Sequence, residues 1–446
     1  MDTNKNNTEP ISKLYMNLAI PLVFSMVITL VYNLTDTYFV AATGNTALIA
    51  GVSLGAPVFT FLMALGNIFG QGGSSLLARL LGQDKREECR HVGAWCFYLA
   101  LAVGLTVGVV MLAARKPMLA LLGADPETYP YARDYYVWLS AGALLVVGSF
   151  VHTNLLRAEG LSKESMIGTV GGAVVNIILD PILIYAVGLG AAGAAIATVI
   201  GYLFTVLYCL VIVRKKSACL SVSIKEIRIS GACQGQILSI GLAAAVTHIM
   251  QSFGVIFLNQ ALLPYGNDKI AAMGIAIKVS LIVLMIITGL TFGGQPLFGF
   301  YYGSGNRERL LGTIKYAVKI ICGTAAGLSL LVFLFTGPLL SVFLPDPSLV
   351  QTASPMLRLQ VVSMVCIGLI MLATILFQSV GKALPALILS LARQGVVFAG
   401  VLLLLSRIWG YGGVLAAQAV SDLATLIIAG ILFYFRFCPL LRSGRK

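Results

Sequence analysis

The sequence predicts an all-α polytopic membrane protein, with twelve transmembrane helices in two pseudo-symmetric six-helix bundles. Three observations predict it. First, only 11% of the 446 residues are charged and 58% are hydrophobic, where a soluble chain carries about 25% charged residues. Second, apolar runs of about 20 residues or more, the length that crosses a bilayer, recur to the end of the chain. Third, the chain repeats itself. Gly82, Arg86 and Glu87 recur as Gly303, Arg307 and Glu308, at an offset of 221. Asp125-Pro126 recurs as Asp346-Pro347 and Gly160 as Gly381 at that same offset. Gly190, Gly193 and Ala197 recur at 220, as Gly410, Gly413 and Ala417.

The first run, 14–40, follows Lys5 and Lys13 and so imitates a secretory signal peptide. It is too long for an h-region and a second span follows at once, so it is expected as a retained helix. The second span, 48–78, ends in a break holding Gly82, Arg86 and Glu87. The third, 91–113, stops at Arg115 and Lys116. The fourth, 129–156, opens after Asp125-Pro126 and closes before Gly160. The fifth and sixth, 164–187 and 190–213, meet at Val187-Gly188-Leu189-Gly190. The second half follows suit with 237–262, 269–299, 313–336, 352–378, 382–406 and 412–437. Its breaks hold Gly303, Asp346-Pro347, Gly381 and Gly410. Gly, Pro and charge are what breaks between helices should carry. The expected domains are an N-terminal bundle, 1–213, a basic cytoplasmic linker, 214–236, and a C-terminal bundle, 237–446.

Basic residues set the orientation. With the N-terminus inside, 21 Lys and Arg fall on the inner side. Five fall outside: Arg115, Lys116, Arg133, Lys269 and Arg407. Both termini are therefore expected in the cytoplasm. This bias and anionic lipid account for the net charge of +13 without nucleic acid. The eight cysteines have no CxxC or zinc spacing and the three histidines are dispersed, so a metal enzyme is not expected. No G-x-x-x-x-G-K-[ST] pattern occurs, so the chain has no ATP engine of its own. Two even-numbered halves inserted the same way round are the architecture of a secondary transporter.

Three acids sit well inside spans: Asp36, Asp180 and Asp422. Asn176 lies four residues before Asp180, on one helix face. Thr198 lies about as far past the Gly-rich turn as Asp180 lies before it, so in an antiparallel pair these groups share a depth. No Lys or Arg lies deep in the N-terminal bundle; Arg157 is at its inner rim, where it is expected to pair with Glu159. Two buried carboxylates without a resident base must be protonated, hydrated or bound to a cation. The other use of such acids is as protonated donors between helices. In the C-terminal bundle Arg393 and Asp422 fall near mid-depth on adjacent helices. They are expected as a structural ion pair, a second proton or substrate site being the alternative. Pro21 removes a backbone hydrogen bond from span one and is a candidate hinge. Tyr32, Asn33, Gln251 and Gln295 are candidates for the substrate cavity by depth. His248 is expected as a satisfied polar contact rather than a proton carrier.

Four stretches resemble the MATE family, the multidrug and toxic compound extrusion transporters. They are GQGGSSLLARLLGQDKREE after span two, LLRAEG after span four, NIILDPILIYAVGLGAAGAAIAT across spans five and six, and GGQPLFGFYYGSGNRERL after span eight. The resemblance covers nearly the whole chain, in the family's order. It implies a MATE/MOP-like fold and cation-coupled export of organic, often cationic or amphiphilic, compounds. One branch of the family has its ion site in the N-terminal half. Its pattern is a proline and an aspartate fifteen apart in span one, Asn-x-x-x-Asp in span five and a threonine in span six. Here these are Pro21 and Asp36, Asn176 and Asp180, and Thr198. Another branch places acids in spans seven and ten, and this chain has none there.

The expected protein is a multidrug antiporter of the inner membrane, not an enzyme. Its partners are small organic molecules and membrane lipids, and it is expected to be a monomer. It needs no cofactor beyond a coupling ion, H+ or Na+. The residue types fit either ion; a proton is preferred, and Na+ at Asp36, Asn176, Asp180 and Thr198 is the only metal considered. The alternative is a lipid-linked precursor flippase of the same wider superfamily. That would call for a groove rich in arginine, which the deep N-terminal half lacks.

The charge bias makes a topological prediction. Reporters fused after Lys85 and after Lys215 should read cytoplasmic, and one fused near Asp346 should read external. Inversion of any of the three would rule out the twelve-span arrangement.

Overall fold

The computed structural model describes residues 8–344 and 346–439. Lys5, Arg442, Arg445 and Lys446, which enter the charge count, lie outside them. Every regular element among the described residues is helical. The first half holds α1 (Ile11–Ala42), α2 (Thr46–Ser53), α3 (Ala56–Gly82), α4 (Arg86–Ala113), α5 (Arg115–Leu121), α6 (Tyr129–Ala141), α7 (Ala143–Glu159), α8 (Ser162–Pro181) and α9 (Gly190–Lys216). The second holds α10 (Gly231–Leu262), α11 (Asn267–Gly303), α12 (Arg307–Leu334), α13 (Thr336–Ser341), α14 (Pro347–Val362), α15 (Met364–Ser379), α16 (Ala383–Leu391) and α17 (Val397–Leu432).

Among the described residues nine helices are long and apolar enough to cross a membrane, and up to eleven if each of two bent pairs is one span. The last of the nine, Ala383–Phe437, runs for 55 residues. At 1.5 Å per residue it would be roughly 80 Å long, far beyond a bilayer of about 45 Å. It is broken at Gly410, whose φ of 56° and ψ of −129° are not helical. The two sides of that break are separate spans, which brings the total to twelve.

The repeat read in the sequence is also a repeat of backbone geometry. α6 and α7 are bent by 51° around Gly142, and α14 and α15 by 41° around Ser363, 221 residues later. Gly160 ends α7 with φ 97°, and Gly381 follows α15 with φ 79°. At the first, Leu161 N–H bonds to Leu156 O at 2.8 Å and Gly160 N–H to Arg157 O at 3.0 Å. At the second, Lys382 N–H bonds to Phe377 O at 2.8 Å and Gly381 N–H to Gln378 O at 3.1 Å. This is the same left-handed glycine cap twice, satisfying carbonyls that hydrocarbon cannot. Asp125 and Asp346 match as well. Asp125 accepts from the Thr128 and Glu127 amides, and Asp346 from the Ser348 amide. The Thr128 backbone and hydroxyl bonds hold the Asp125 carboxyl below its ordinary range.

The chain forms two compact units. The first takes Phe24–Ala245, which includes the later part of α1, the helices α2–α9 and the start of α10. Inside it α3 packs chiefly on α7 and α8 on α9. The backbone of Gly72 in α3 abuts Ile237 of α10 so closely that a Cβ would stand 3.0 Å from the Ile237 carbonyl carbon. The second unit takes the described residues before Phe24 and after Ala245. Inside it α11 packs on α14 and α12. Gly293 of α11, the repeat partner of Gly72, abuts Ala19 of α1 in the same manner.

The stretch after α9 is strapped to the first unit. The Glu159 carboxylate accepts from the Ser217 hydroxyl at 2.6 Å, from the Ala218 and Cys219 amides at 2.7 and 3.2 Å, and from the Cys219 thiol at 3.0 Å. Burial, with the Glu159 charge beside it, pushes that thiol above its ordinary range, so it stays protonated and donates. Tyr98 OH donates to Val222 O at 2.7 Å, and His91 pairs with Glu226 at 3.0 Å. The expected Arg157–Glu159 pair does not form. Arg157 turns back along its own helix to Thr153 O and to Asn154 Oδ1, while Glu159 has found backbone donors that no side chain can move away.

The glycines at the start of each sixth span are held by contact. A Cβ on Gly193 would lie 2.7 Å from the Leu183 carbonyl carbon, and one on Gly413 3.0 Å from the Ser406 amide nitrogen. Gly193→Ala and Gly413→Ala should each destabilise the protein by about 1–3 kcal/mol, the usual cost of overpacking. Gly323→Ala in α12, where an added Cβ meets nothing within 4 Å, should not. Thermal unfolding of the three purified variants in detergent checks this.

Candidate functional site

α8 is an apolar helix with one polar stripe. Asn176 and Asp180 project from it four residues apart, and Pro181 with a π turn, Ile182–Ala186, closes it. α9 returns antiparallel and carries Thr198. Asp180 is fully buried, and Asn176 and Thr198 are nearly so. Asn176 Nδ2 donates to Thr198 Oγ1 at 3.3 Å, and the Thr198 hydroxyl donates to Ala194 O at 3.0 Å. Spending Nδ2 on Thr198 leaves Asn176 Oδ1 free as an acceptor, and it has no hydrogen-bond partner.

α1 brings the fourth residue. The Asp36 carboxyl neighbours that of Asp180. Asp36 Oδ1 and both Asp180 oxygens are buried and have no hydrogen-bond partner at bonding distance. No Lys or Arg is among the groups acting on either carboxyl. All four residues belong to the first unit. Two carboxylates this close cannot both stay ionised in a low dielectric without a cation. With Asn176 Oδ1 and Thr198 Oγ1 they form an all-oxygen donor set, the kind that hard cations take. Among the described residues no three His, Cys, Asp or Glu side chains gather as a transition-metal site would need.

Tyr32 joins the cluster, with Thr198, Asp36, Tyr135 and Tyr202 around its hydroxyl. Tyr135 and Tyr202 were not read from the sequence. Tyr202 carried a signal, since it lies one turn past Thr198 on the same face, and its ring sits between Phe59 and Phe150. Tyr135 carried none beyond being aromatic in span four. Asn33 is exposed, outside this cluster. Pro21 lies inside α1 without ending it, fifteen residues and so about four turns before Asp36. Gln251, Gln295 and His248 belong to the second unit. Gln251 is beside His248, and Gln295 is buried with its amide nitrogen unpartnered.

In the second unit Arg393 stands on a π turn, Ala392–Val396, and is nine-tenths buried. Its Nε is 3.8 Å from Asp422 Oδ1, an ion-pair contact with no hydrogen bond, and Gln418 Nε2 donates to that oxygen at 3.1 Å. Asp422 is fully buried.

A helical membrane chain built twice over, with a fully buried carboxyl beside a half-buried one and no Lys or Arg acting on either, has the plan of a secondary transporter. The MatE family model matches residues 21–182 and again 243–403, the second match displaced from the first by about the interval of the repeat. The chain belongs to the MATE family of transporters. It is 31% identical over 427 residues to the multidrug export protein MepA of Staphylococcus aureus (strain MRSA252), covering 95% of this chain and 94% of that one. A crystal structure of a MATE protein in complex with MaL6 superposes with a TM-score of 0.94 at 26% identity, covering 99% of this chain and 100% of that one. An outward-facing structure of a multidrug resistance MATE family transporter of the MOP superfamily superposes at 0.92 and 26%, covering 99% of each.

The Arg393–Asp422 contact predicts a pattern of variants. Breaking a buried pair strands a charge and costs about 3–5 kcal/mol, whereas replacing both partners by apolar groups need not. Arg393→Met and Asp422→Leu should each lower the yield of monodisperse protein in low-salt neutral buffer, and the double variant should recover it. Normal yields of both single variants would show that the contact contributes nothing.

Proposed function

We propose that this chain exports organic compounds, cationic or amphiphilic ones above all, in exchange for H+ or Na+ bound at Asp36, Asn176, Asp180 and Thr198. The observation that carries the proposal is the pair of neighbouring carboxyls, three of whose oxygens are buried and unpartnered, with no basic neighbour. Such a site is unstable empty and stable with one positive charge added. A ligand that changes the state of the site changes, by reciprocity, the affinity for whatever else that state binds. The multidrug export proteins to which the chain is similar supply the substrate class. The lipid-linked flippase is the weaker reading, because no arginine for a lipid phosphate stands at this cluster.

In this reading the protein works as a monomer in the cytoplasmic membrane with both termini inside. The halves 1–213 and 237–446 are the moving bundles, joined by 214–236. Pro21 is the hinge of α1. Tyr32 lines the drug path in the first half, and Gln251 and Gln295 in the second.

The test is gradient-driven dye efflux from proteoliposomes, with Na+ and pH gradients imposed separately. Asp36→Asn and Asp180→Asn keep the size and lose the charge, and each should reduce efflux to the level of empty vesicles. Thr198→Val removes one neutral ligand worth about 1–1.5 kcal/mol, which is roughly tenfold in ion affinity. It should weaken Na+-driven efflux by that factor and leave proton-driven efflux nearly intact. Pumping by both folded Asp variants would move the coupling site elsewhere.

A further inference from the structure

We infer that the second unit carries a cation site of its own, on the helix pair equivalent to α8 and α9, and that Arg393 fills it in place of an exchangeable ion. The two helix pairs are built alike. Gly190 and Gly410 start the returning helix with φ of 53° and 56°. Three residues on, Gly193 rests on the backbone of Leu183 and Ile184, and Gly413 on that of Leu405 and Ser406. Where the helices cross in the first unit, Gly172 faces Gly201. At the equivalent crossing Ser421 Oγ donates to the Arg393 carbonyl at 3.5 Å. Arg393 thus stands where the first unit has Gly172, Gln418 where it has Thr198, and Asp422 where it has Tyr202.

The side chains at that crossing are those of a cation site. Asp422 supplies a fully buried carboxylate with Gln418 and Ser363 beside it. Asp422 Oδ2 and the Thr425 hydroxyl, one turn further on, are buried without hydrogen-bond partners. An arginine serving only as a brace makes forked bonds at about 2.7–2.9 Å. Here Arg393 Nε stops 3.8 Å from the carboxylate and forms no hydrogen bond. It is present as a charge in the position of a counter-ion. Among the described residues, no other Lys, Arg or His is among the groups acting on Asp422. Cys366 faces Asp422 from α15, Arg358 of α14 lies over the Phe333 ring, and His248 of α10 is engaged with Gln251.

A guanidinium neither deprotonates nor leaves. The second unit therefore holds its positive charge permanently, and Arg393 determines that it does not exchange ions. This inference stands on the second unit alone; only the contrast with Asp36 and Asp180 rests on the function proposed above.

The experiment counts cations on the full-length protein in nanodiscs, as bound radioactive Na+ and as protons taken up across the neutral range. Arg393→Gln should gain one more cation per chain than the unsubstituted protein. Its thermal stability should rise with Na+ or with falling pH beyond the unsubstituted protein's response, because a ligand that binds only the folded state stabilises it. Adding Asp422→Asn should abolish both gains. A folded Arg393→Gln protein with no extra Na+ or proton overturns the inference. Should Arg393→Gln not fold, the Asp36→Asn, Asp180→Asn double variant, with its second unit native, decides the matter. Loss of all ion exchange supports a locked second unit. Residual exchange abolished by Asp422→Asn overturns it. Residual exchange indifferent to Asp422→Asn supports it and counts instead against the site at Asp36 and Asp180.

Discussion

The closeness of α8 and α9 is what the rest of the first unit depends on. A Cβ on Gly172 would collide with the Thr205 hydroxyl and lie 2.6 Å from Gly201 O, and one on Gly201 would lie 2.7 Å from Gly172 O. Two bare backbones therefore touch. In lipid no hydrophobic drive holds helices together, so close packing and polar bonds across the seam must do it. Thr205 contributes one such bond, to Gly168 O at 3.1 Å. Only at this separation does Asn176 Nδ2 reach Thr198. That bond in turn fixes which end of the Asn176 amide is left beside Asp180. The seam thus sets the arrangement of the residues proposed to hold the coupling ion.

Backbone devices are shared by the two halves and side-chain chemistry is not. The left-handed glycine caps at Gly160 and Gly381 and the bends at Gly142 and Ser363 recur at an interval of 221, and the tight turns at Gly190 and Gly410 at 220. They recur because each helix end and each bend leaves backbone groups that hydrocarbon cannot satisfy, at several kcal/mol apiece. Side chains carry no such obligation so long as their charges are met. The same helix pair accordingly carries Asn176, Asp180, Thr198 and Tyr202 in the first unit, where α1 adds Tyr32 and Asp36 and α6 adds Tyr135. In the second it has become an arginine facing an acid.

Much of this was legible in the sequence, for reasons that differ by feature. The spans were legible because length and apolarity are all the bilayer asks of them. The break at Gly410 was legible because the repeat pointed to it. Asp36, Asn176, Asp180 and Thr198 were legible as a group because charge inside a span is conspicuous and helix depth can be counted. Depth does not give direction around a neighbouring helix. Tyr32 and Asn33 both lie within a turn of Asp36, rotated from it by about 40° to one side and 60° to the other at 3.6 residues per turn. Only Tyr32 turns towards Thr198, while Asn33 is exposed. Tyr135 was out of reach because the fourth span is bent at Gly142, and no periodicity signals such a bend. Glu159 was assigned to the wrong partner because backbone donors, here those of Ala218 and Cys219, leave no mark in a sequence.

What distinguishes the two units electrostatically is whether the compensating charge can leave. Asp422 has a partner tied to the chain, the Arg393 guanidinium at 3.8 Å. Asp36 and Asp180 have no such partner, and they stand on different helices, α1 and α8. In the proposed function, a cation or proton bound between them would draw those helices together. Without it two carboxylates repel across a medium that screens poorly. On that proposal, the balance between attraction and repulsion of α1 and α8 is under the control of a solute. A solute can drive a conformational change only to the extent that it binds one state better than another. A site on one rigid element offers no such difference, whereas a site shared by two helices does.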